Sequence, residues 1–337
     1  MTFKIGNGNP GKNNLVSVII VTYNHKHFLH ETIESVICQD YEPIEIIITD
    51  DGSTDGSVEI IKEYEKKYPQ KIKAIFSKIN TGIPGNVNRG LEQATGEFIA
   101  WLGGDDIMLP SKLKKQVKIL HSNPKAIGCC HDAEIFNSID GKIYGLFSEL
   151  MNGQKGIRNG GVELWFDSKY YMLPSTVMFR SIATPLHGFD LRLKFLNDWL
   201  FDVEVFQKGQ CIALQDNLVR YRRHQNNATG SDLAKSINLE ENLIALSIVE
   251  SRYPQLYSLV RKRRINCLLS AAVFARNSRD LFKFRKYLYM AFQEGAIFRV
   301  PLLWFALLIA GQFVEHQLKG MPHNRSKLFT KLSNLIK

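Results

Sequence analysis

Two groups of aspartates each follow an apolar run that has the composition of a buried strand. The first group lies in residues 49–55 after the run 44–48, and the second lies in residues 103–106 after the run 98–102. Carboxylates at the carboxyl ends of parallel strands gather in the crevice where open α/β sheets bind ligands. A pair of such carboxylates can hold a divalent cation against a diphosphate. The spacing therefore predicts a cation-dependent diphosphate site.

The first aspartate group has two other interpretations. Asp-Gly-Ser and Thr-Asp sequences form turns and cap helices, so residues 50–55 would then have only a structural role. A calcium-binding loop is the second interpretation, because Asp51, Ser53 and Asp55 fit its first, third and fifth positions. It fails at the twelfth position, where Lys62 replaces the required glutamate. The turn interpretation stays open beside the ligand site.

The elements that must position these residues alternate between strand and helix. Continuous apolar runs predict strands at 16–21, 44–48, 72–76 and 97–102, with further strands at 126–135, 175–179 and 211–214. Apolar residues at helical spacing predict helices between these strands, including one at 197–208. Beyond Asn227 the pattern is helical, with helices at 239–249, 256–275, 280–293 and 297–318. Repeated β–α units predict an α/β fold with a mostly parallel sheet covered by helices on both faces.

Composition bounds the possible classes of protein. The chain has 337 residues, of which 45% are apolar and 23% are charged, as expected for a folded protein with one full core and a smaller appended unit. The five cysteines have no C-x-x-C spacing, which favours reduced, mostly buried thiols over disulfides or a zinc site. No secretory signal pattern begins the chain, so a cytosolic location is expected.

The net charge of +10 is concentrated at the C-terminal end. From Ser251 onward there are 16 Lys and Arg against 3 Asp and Glu, and this part includes the apolar run 300–311. An apolar patch beside cations suits an anionic membrane surface. Twelve apolar residues are too few to span a bilayer, because a transmembrane helix needs ~20. A buried helix packed on the rest of the protein is the alternative. Nucleic-acid binding is not expected, since no recognition motif accompanies the basic residues.

Five segments in order resemble the family 2 glycosyltransferases, which have the GT-A fold. The segments are VIIVTYN at 18–24, ITDDGSTD at 48–55, NTG with NRG at 80–90, GEFIAWL leading to Asp105 and Asp106, and NDW at 197–199 followed by YRRH at 221–224. The resemblance covers residues 15–224. It implies a catalytic GT-A domain at 1–225, followed by a helical, basic region at 226–337.

The resemblance also implies which residues bind a nucleoside diphosphate sugar. A tyrosine ring at Tyr23 can lie against the nucleobase, while Thr22 and Asp51 bond the edge of the base. Asp105 corresponds to the metal-binding aspartate of the family motif and would hold Mn²⁺ or Mg²⁺. The remaining donor contacts implied by the motifs are Asn88, Gly104 and Asp106.

Two positions depart from the usual family pattern. Gly103 replaces the aspartate that would contact ribose, although the backbone N–H groups of Gly103 and Gly104 can approach a sugar or phosphate closely. Val87 stands where many relatives carry an arginine near the diphosphate, and Arg89 is expected on another face of the helix. The first departure affects ribose recognition more than cation binding.

Asp198 is the candidate general base, which would take a proton from the acceptor hydroxyl. Its neutral neighbour Asn197 stands where relatives have a glutamate, and the missing repulsion should keep Asp198 more acidic than a carboxylate in a pair. A structural aspartate at a helix N-terminus is the alternative. Trp199 would stack on an acceptor sugar or belong to the core. His224 would complete the metal shell or contact phosphate, or have a structural role; the other histidines, including His25, receive no role.

The resulting expectation is an inverting, non-processive glycosyltransferase that moves one sugar to a glycan acceptor. The acceptor would be lipid-linked, at the inner face of the cell membrane, in the synthesis of a bacterial surface polysaccharide such as a lipopolysaccharide O-antigen or a capsule. No Q-x-x-R-W segment of the kind found in polymer synthases is present. Two alternatives remain, a non-catalytic nucleotide- or glycan-binding module of the same fold and a sugar-phosphate nucleotidyltransferase. The latter would need a Gly-rich, basic loop where this chain has Thr22 to His25.

Overall fold

A computed structural model of the protein describes residues 14–153, 155–167, 170–224 and 232–296. The strands in these residues are β1 Val16–Thr22, β2 Ile44–Asp50, β3 Ile72–Phe76, β4 Phe98–Gly103, β5 Ile107–Met108, β6 Ala126–Asn137, β7 Ile143–Leu146, β8 Met178–Arg180 and β9 Gln210–Arg223. The helices are α1 Lys26–Ile37, α2 Ser57–Lys67, α3 Gly82–Leu91, α4 Lys112–Ser122, α5 Phe147–Asn152, α6 Glu163–Phe166, α7 Asn197–Phe206, α8 Asp232–Arg252, α9 Tyr257–Asn277 and α10 Leu281–Gln293. The helix predicted at 297–318 lies outside the described residues.

All nine described strands form one sheet in the order β3-β2-β1-β4-β8-β6-β9-β5, with β7 paired to β6. The strands β1 to β4 pair in parallel, as predicted. Strand β8 runs antiparallel to both β4 and β6, whereas β6 and β9 are parallel to each other. The α/β prediction is therefore confirmed, but the sheet is parallel in one half and mixed in the other.

The pairing register brings three strand ends to one edge of the sheet. Thr22 at the end of β1 lies beside Asp50 of β2, and Val21 lies beside Gly103 of β4. The loops that leave these strands therefore start side by side. Side chains from sequence positions about 30 and 80 residues apart can meet there because adjacent strands lie roughly 5 Å apart.

The hydrophobic core lies on both faces of the sheet, since successive strand residues point to opposite faces. On one face Val18, Ile46 and Ala100 pack with residues of α1, α2 and α4. On the other face Ile19 and Trp101 pack with residues of α3, α7 and α8. Each fully buried Ile or Leu side chain contributes roughly 1.5–3 kcal/mol to folding, so this alternation fixes the register that positions the strand ends.

The later strands differ in detail from the prediction. The predicted strand at 175–179 is a 3₁₀ turn, Pro174–Thr176, followed by the short strand β8. The proline fixes the backbone φ at a value that suits a helical turn. Strand β9 continues nine residues beyond the predicted end at 214 and reaches Arg223. Its extension carries the chain back towards β5, with which it pairs.

Backbone contacts divide the chain into two compact units, residues 1–263 and 264–337. Helix α8 belongs to the first unit together with the sheet. The predicted end of the catalytic region at residue 225 remains a prediction. All five cysteines are free thiols, and Cys129, Cys130 and Cys211 are buried. Within the described ranges, no helix is both long enough and apolar enough to cross a membrane.

Candidate active site

A cleft of about 410 Å³ opens at the edge where β1, β2 and β4 end. It is lined by six of the residues predicted from the sequence, namely Thr22, Tyr23, Asp51, Asp105, Asp106 and Asp198. The proposed cation ligand Asp105 and the proposed base Asp198 thus share one cavity, although they come from distant parts of the chain. Asn88, Gly104, Trp199 and His224 are not among the cleft-lining residues.

The aspartates of the first group have different roles. Asp50 accepts hydrogen bonds from the backbone N–H groups of Gly52 and Ser53, at 3.1 and 2.8 Å. Asp55 accepts from the N–H of Ser57 at 3.0 Å, just before α2. Both carboxylates therefore make the local turn that the structural interpretation predicts, and of the three only Asp51 lines the cleft.

Asp51 is buried and accepts four hydrogen bonds. Its donors are the N–H and hydroxyl of Thr81 at 2.9 and 2.8 Å, the N–H of Gly82 at 2.8 Å, and the guanidinium of Arg89 at 2.6 Å. The carboxylate therefore fixes the start of α3 against β2. Because four donors already occupy it, a nucleobase N–H would have to replace one of them.

Two asparagines of α3 act at different places. Asn88 accepts a hydrogen bond from the N–H of Phe189 at 2.7 Å and donates one to the Phe189 carbonyl at 2.9 Å. Its amide therefore holds the loop before α7 and is not free to bind a nucleotide-sugar. Asn86 lines the cleft, and its amide donates to the carbonyls of Thr22 and Thr49 at the ends of β1 and β2. The donor contact predicted at Asn88 is thus not at the cleft, whereas Asn86, which the motif match did not single out, is.

Asp105 lies next to His224, with 2.9 Å between a carboxylate oxygen and Nε2 of the imidazole. Burial opposes ionisation of Asp105, but the hydrogen bond from His224 and the charge of His25 outweigh it and hold the pKa of Asp105 below its ordinary value. An ionised carboxylate such as Asp105 is the ligand type that Mn²⁺ and Mg²⁺ prefer, and His224 lies within reach of the same position. The long extension of β9 delivers His224 to this position.

Asp106 is bound into the protein rather than presented to a ligand. Its two oxygens accept from the Ser175 hydroxyl at 2.9 Å and from the N–H of Arg222 at 3.2 Å. Burial, with the nearby charge of Asp105, raises the pKa of Asp106 well above its ordinary value. Asp106 therefore ties β9 and the 174–176 turn to the end of β4, and the cation site depends on Asp105.

Two polar atoms beside Gly104 are buried without a hydrogen-bond partner, Oγ1 of Thr22 and Nδ1 of His25. A Cβ on Gly104 would lie 2.6 Å from that nitrogen and 2.8 Å from that hydroxyl, so only glycine fits between them. Buried polar atoms normally have a partner, and both atoms lie on cleft-lining residues. A metal–diphosphate group bound beside Asp105 would satisfy them.

The described residues contain no group of three or more His, Cys, Asp or Glu side chains arranged around one metal position. If a divalent cation binds here, Asp105 and His224 are the side chains that would hold it, together with oxygens of the diphosphate. Hard cations such as Mg²⁺ are commonly bound in this way, by one or two protein carboxylates together with the phosphates of the substrate. The N–H of Gly104 already donates to the Val21 carbonyl at 2.9 Å, so it is not available to a phosphate.

Asp198 lies in the first turn of α7, where one of its oxygens accepts the N–H of Trp199 at 2.7 Å. Burial raises the pKa of Asp198 to about 6. The more acidic carboxyl expected from its neutral neighbour is thus not seen, because burial outweighs the absence of a charge at Asn197. A carboxylate with this pKa is still mainly ionised at pH 7 and is a stronger base than an exposed aspartate.

A second carboxyl, Asp202, lies one helical turn after Asp198. Burial and the charge of Asp198 raise the pKa of Asp202 to about 8, so it is mainly protonated at neutral pH. The indole N–H of Trp165 donates to it at 3.0 Å. Of the two carboxyl groups on this face of α7, Asp198 is therefore the one that is mainly ionised at neutral pH.

Trp199 is half-buried, packs against the core and does not line the cleft. Its indole N–H donates to the carbonyl of Trp165 at 2.6 Å, and its ring meets Phe166 edge-on at 5.5 Å. The guanidinium of Arg263 lies 4.5 Å from the ring centroid. Of the two interpretations of Trp199, the structure places it in the core.

The loop before α7 is held by a carboxylate that sequence analysis did not identify. Glu241 of α8 is buried, and it accepts the consecutive N–H groups of Lys194, Phe195 and Leu196 at 2.8, 2.9 and 3.1 Å. Three charge-assisted hydrogen bonds fix this loop. Lys194 and Phe195 line the cleft, so a residue from α8 positions one wall of the site.

Comparison with known proteins agrees with this arrangement. Residues 17–180 match the model of glycosyl transferase family 2. The chain is 40% identical over 128 residues to an uncharacterized glycosyltransferase of Nostoc sp., and 42% identical over 115 residues to the putative glycosyltransferase EpsE of Bacillus subtilis. These alignments cover 38% and 34% of this chain, and the chain spans only 39% and 41% of the length of these curated relatives.

Among solved structures, TarS 1–349 of S. aureus superposes with a TM-score of 0.56 at 16% identity, covering 82% of this chain and 91% of TarS 1–349. The mannosyltransferase PcManGT of Pyrobaculum calidifontis, solved with GDP-Man and Mn²⁺, superposes with a TM-score of 0.52 at 16% identity, covering 89% of this chain and 86% of its own. These likenesses define a GT-A fold. The similarity to glycosyl transferase family 2 is carried by residues 17–180 of this chain.

Proposed function

We propose that the protein transfers a single sugar from a nucleoside diphosphate sugar to a hydroxyl of a glycan acceptor, with inversion at the anomeric carbon. The observation that carries this proposal is the single cleft lined by both Asp105 and Asp198. One of these carboxylates suits a cation–diphosphate group and the other suits a proton acceptor. The solved neighbours TarS and PcManGT were crystallised with UDP-GlcNAc and GDP-Man, which supports a nucleotide-sugar donor.

The donor would bind along the strand ends. Tyr23 is 43% exposed at the cleft, where its ring can stack on a nucleobase, and Asn86 fixes the two strand ends beneath it. Asp105 and His224 would hold the divalent cation, with Thr22 and His25 beside it. When bound, Mn²⁺ or Mg²⁺ supplies positive charge that stabilises the leaving nucleoside diphosphate.

Asp198 would accept the proton of the acceptor hydroxyl as the oxygen attacks the anomeric carbon. The attack takes place on the face opposite the departing diphosphate, so the configuration inverts. The charge of Glu241 adds to burial in raising the pKa of Asp198, which makes Asp198 a better proton acceptor. Because transfer requires one base and no covalent intermediate, a single carboxylate on the acceptor side is sufficient.

The test compares Asp198→Asn with Asp140→Asn, a control at an exposed position in the β6–β7 turn. A panel of nucleotide-sugars is first screened for Mn²⁺-dependent binding and turnover. We expect Asp198→Asn to lower turnover by roughly 10²–10⁴-fold without weakening donor binding, while Asp140→Asn behaves as wild type. Undiminished turnover in Asp198→Asn would refute the base assignment, and binding without any turnover in wild type would favour a non-catalytic module.

We further propose that the acceptor is lipid-linked and that the protein associates peripherally with the cytoplasmic face of the membrane, in surface-polysaccharide synthesis. Support comes from the hairpin of α9 and α10, where Phe274 and Phe282 are 74% and 78% exposed. Exposed basic residues accompany them, namely Arg276, Arg279, Lys283 and Lys286. Exposed aromatics among cations suit an anionic lipid surface.

Vesicle flotation tests this association. We expect the protein to float with phosphatidylglycerol vesicles at low salt and to remain unbound with phosphatidylcholine vesicles. Phe282→Ser should weaken flotation by about tenfold, since it removes most of one buried aromatic contact. Equal recovery with both lipids, or an unchanged Phe282→Ser variant, would remove the support from this hairpin.

A further inference from the structure

Among the described residues that line the cleft, Lys194 is the one lysine or arginine. The carboxylates along the same wall and floor are Asp51, Asp105, Asp106 and Asp198. The two arginines bonded to cleft aspartates do not line the cavity. Arg89 is bonded to the Asp51 carboxylate, and Arg222 donates to the Asp105 carbonyl at 2.7 Å and to Glu31 at 2.5 Å.

Lys194 has a fixed backbone and an unpaired ammonium group. Its N–H donates to the buried carboxylate of Glu241, and its carbonyl accepts the side-chain amide of Asn197 at 2.7 Å. The Lys194 ammonium makes no ion pair with any residue in the described part of the chain. The residue is therefore held in place at both backbone groups, while its charge remains available to a ligand.

The position of Lys194 relates it to the acceptor. It precedes Asp198 by four residues, and Asn197, which bonds its carbonyl, begins the same helix that carries Asp198. A general base must lie within about 3 Å of the hydroxyl that it deprotonates. A flexible four-carbon stem that starts one short loop away can therefore reach a group next to that hydroxyl.

We infer that Lys194 recognises an anionic group, a phosphate or a carboxylate, on the acceptor that Asp198 deprotonates. This inference rests on the proposed transferase function. The charge of the donor diphosphate is matched elsewhere, by the divalent cation that Asp105 and His224 would hold. A lysine in the same cleft as the base then selects acidic acceptors, such as glycosyl phosphates or uronic acids, over neutral ones.

Three octyl glycosides that differ in one group test the inference, namely octyl glucoside, its 6-phosphate and octyl glucuronide. Isothermal titration with the full chain measures the affinity for each below the micelle concentration. We expect wild type to bind at least one anionic probe about 10- to 100-fold more tightly than the neutral probe, as one charge-assisted hydrogen bond allows. The tighter of the two anionic probes tells phosphate from carboxylate.

The matched variants are Lys194→Met, Lys194→Arg and Lys118→Met, the last at an exposed position of α4. We expect Lys194→Met to lose the preference while keeping its affinity for the neutral probe, whereas the other two variants keep the preference. A wild type without preference, or a Lys194→Met variant that retains it, would overturn the inference.

Hydrolysis of the donor in the absence of acceptor separates this inference from the proposed function. A fall in donor hydrolysis by Lys194→Met as large as its fall in affinity for the anionic probes would assign Lys194 to the diphosphate and overturn the inference. If wild type neither hydrolyses nor transfers sugar from any donor of the panel but binds anionic probes through Lys194, the transferase proposal fails while the anion site stands.

Discussion

The two halves of the cleft are built differently. In the half proposed to bind the sugar donor, Thr22, Tyr23 and Asp51 leave adjacent parallel strands, so their positions follow directly from the pairing of β1 and β2. In the half proposed to bind the acceptor, Asp198 and Lys194 depend on contacts between elements far apart in the chain. Asn88 holds Phe189 from 101 residues away, and Glu241 holds Lys194 from 47 residues away. The donor half is therefore defined by the sheet, and the acceptor half by anchors placed on it.

On the donor side of the cleft, the largest effect is expected at Asp105. Asp105→Asn should lower cation-dependent turnover by roughly 10²–10³-fold, the usual effect of removing one electrostatic contact to developing charge. It should also raise the Mn²⁺ concentration needed for half-maximal donor binding, measured by titration. Asp106→Asn is the matched control, since its carboxyl is bonded to Ser175 and Arg222. A shift in the Mn²⁺ requirement of Asp106→Asn equal to that of Asp105→Asn would contradict the division between the two aspartates.

The next effect is a pH dependence that belongs to the acceptor half. A base acts only when it is deprotonated, and burial raises the pKa of Asp198 to about 6. Turnover should therefore be constant above pH 7 and fall about tenfold per pH unit below 6. Donor binding, measured over the same range by titration with a nucleoside diphosphate, should change less. A turnover profile that stays flat down to pH 5 would count against Asp198.

The smallest expected effect tests the anchor of the acceptor half. Glu241→Gln leaves at least one of three backbone N–H groups with a poorer acceptor, so the free energy of unfolding should fall by about 1–3 kcal/mol. Turnover should fall while donor affinity is retained. Glu240→Gln, at the exposed neighbouring position, controls for the loss of charge. Chemical denaturation and steady-state kinetics measure both, and equal behaviour of the two variants would show that the anchor has no such role.

The same difference explains what the sequence could predict. The strands β1 to β4 and the residues at their ends follow from local apolar runs, and β3 Ile72–Phe76 agrees residue for residue. The two-residue strand β5 and the four-residue strand β7 are too short to show a periodic pattern. Strand β8 is antiparallel to β4 and β6 because it pairs with segments that are distant in the sequence. No local sequence pattern predicts such pairing.

Site residues were predicted where a motif at a strand end defines them and missed where a distant partner defines them. His25 has no neighbouring ligand pattern in the sequence, and its place beside Asp105 and His224 appears only when β1, β4 and β9 are assembled. Glu241 follows another glutamate, the exposed Glu240, so the sequence does not show which of the two is buried. The placement of Asn88 away from the cleft lining is of this kind, because its partner Phe189 lies in a loop without a motif.

The hydrogen bonds from residues 194–196 to Glu241 bear on how this chain should be shortened for experiments. A fragment chosen from the family match would stop at residue 180, before the base, and one chosen from the motifs would stop at 224. The longer fragment would contain every motif and still lack α8. Such a truncated protein should recognise nucleotide but transfer sugar poorly. A shortened version of this chain should therefore end after Arg252, so that it keeps α8.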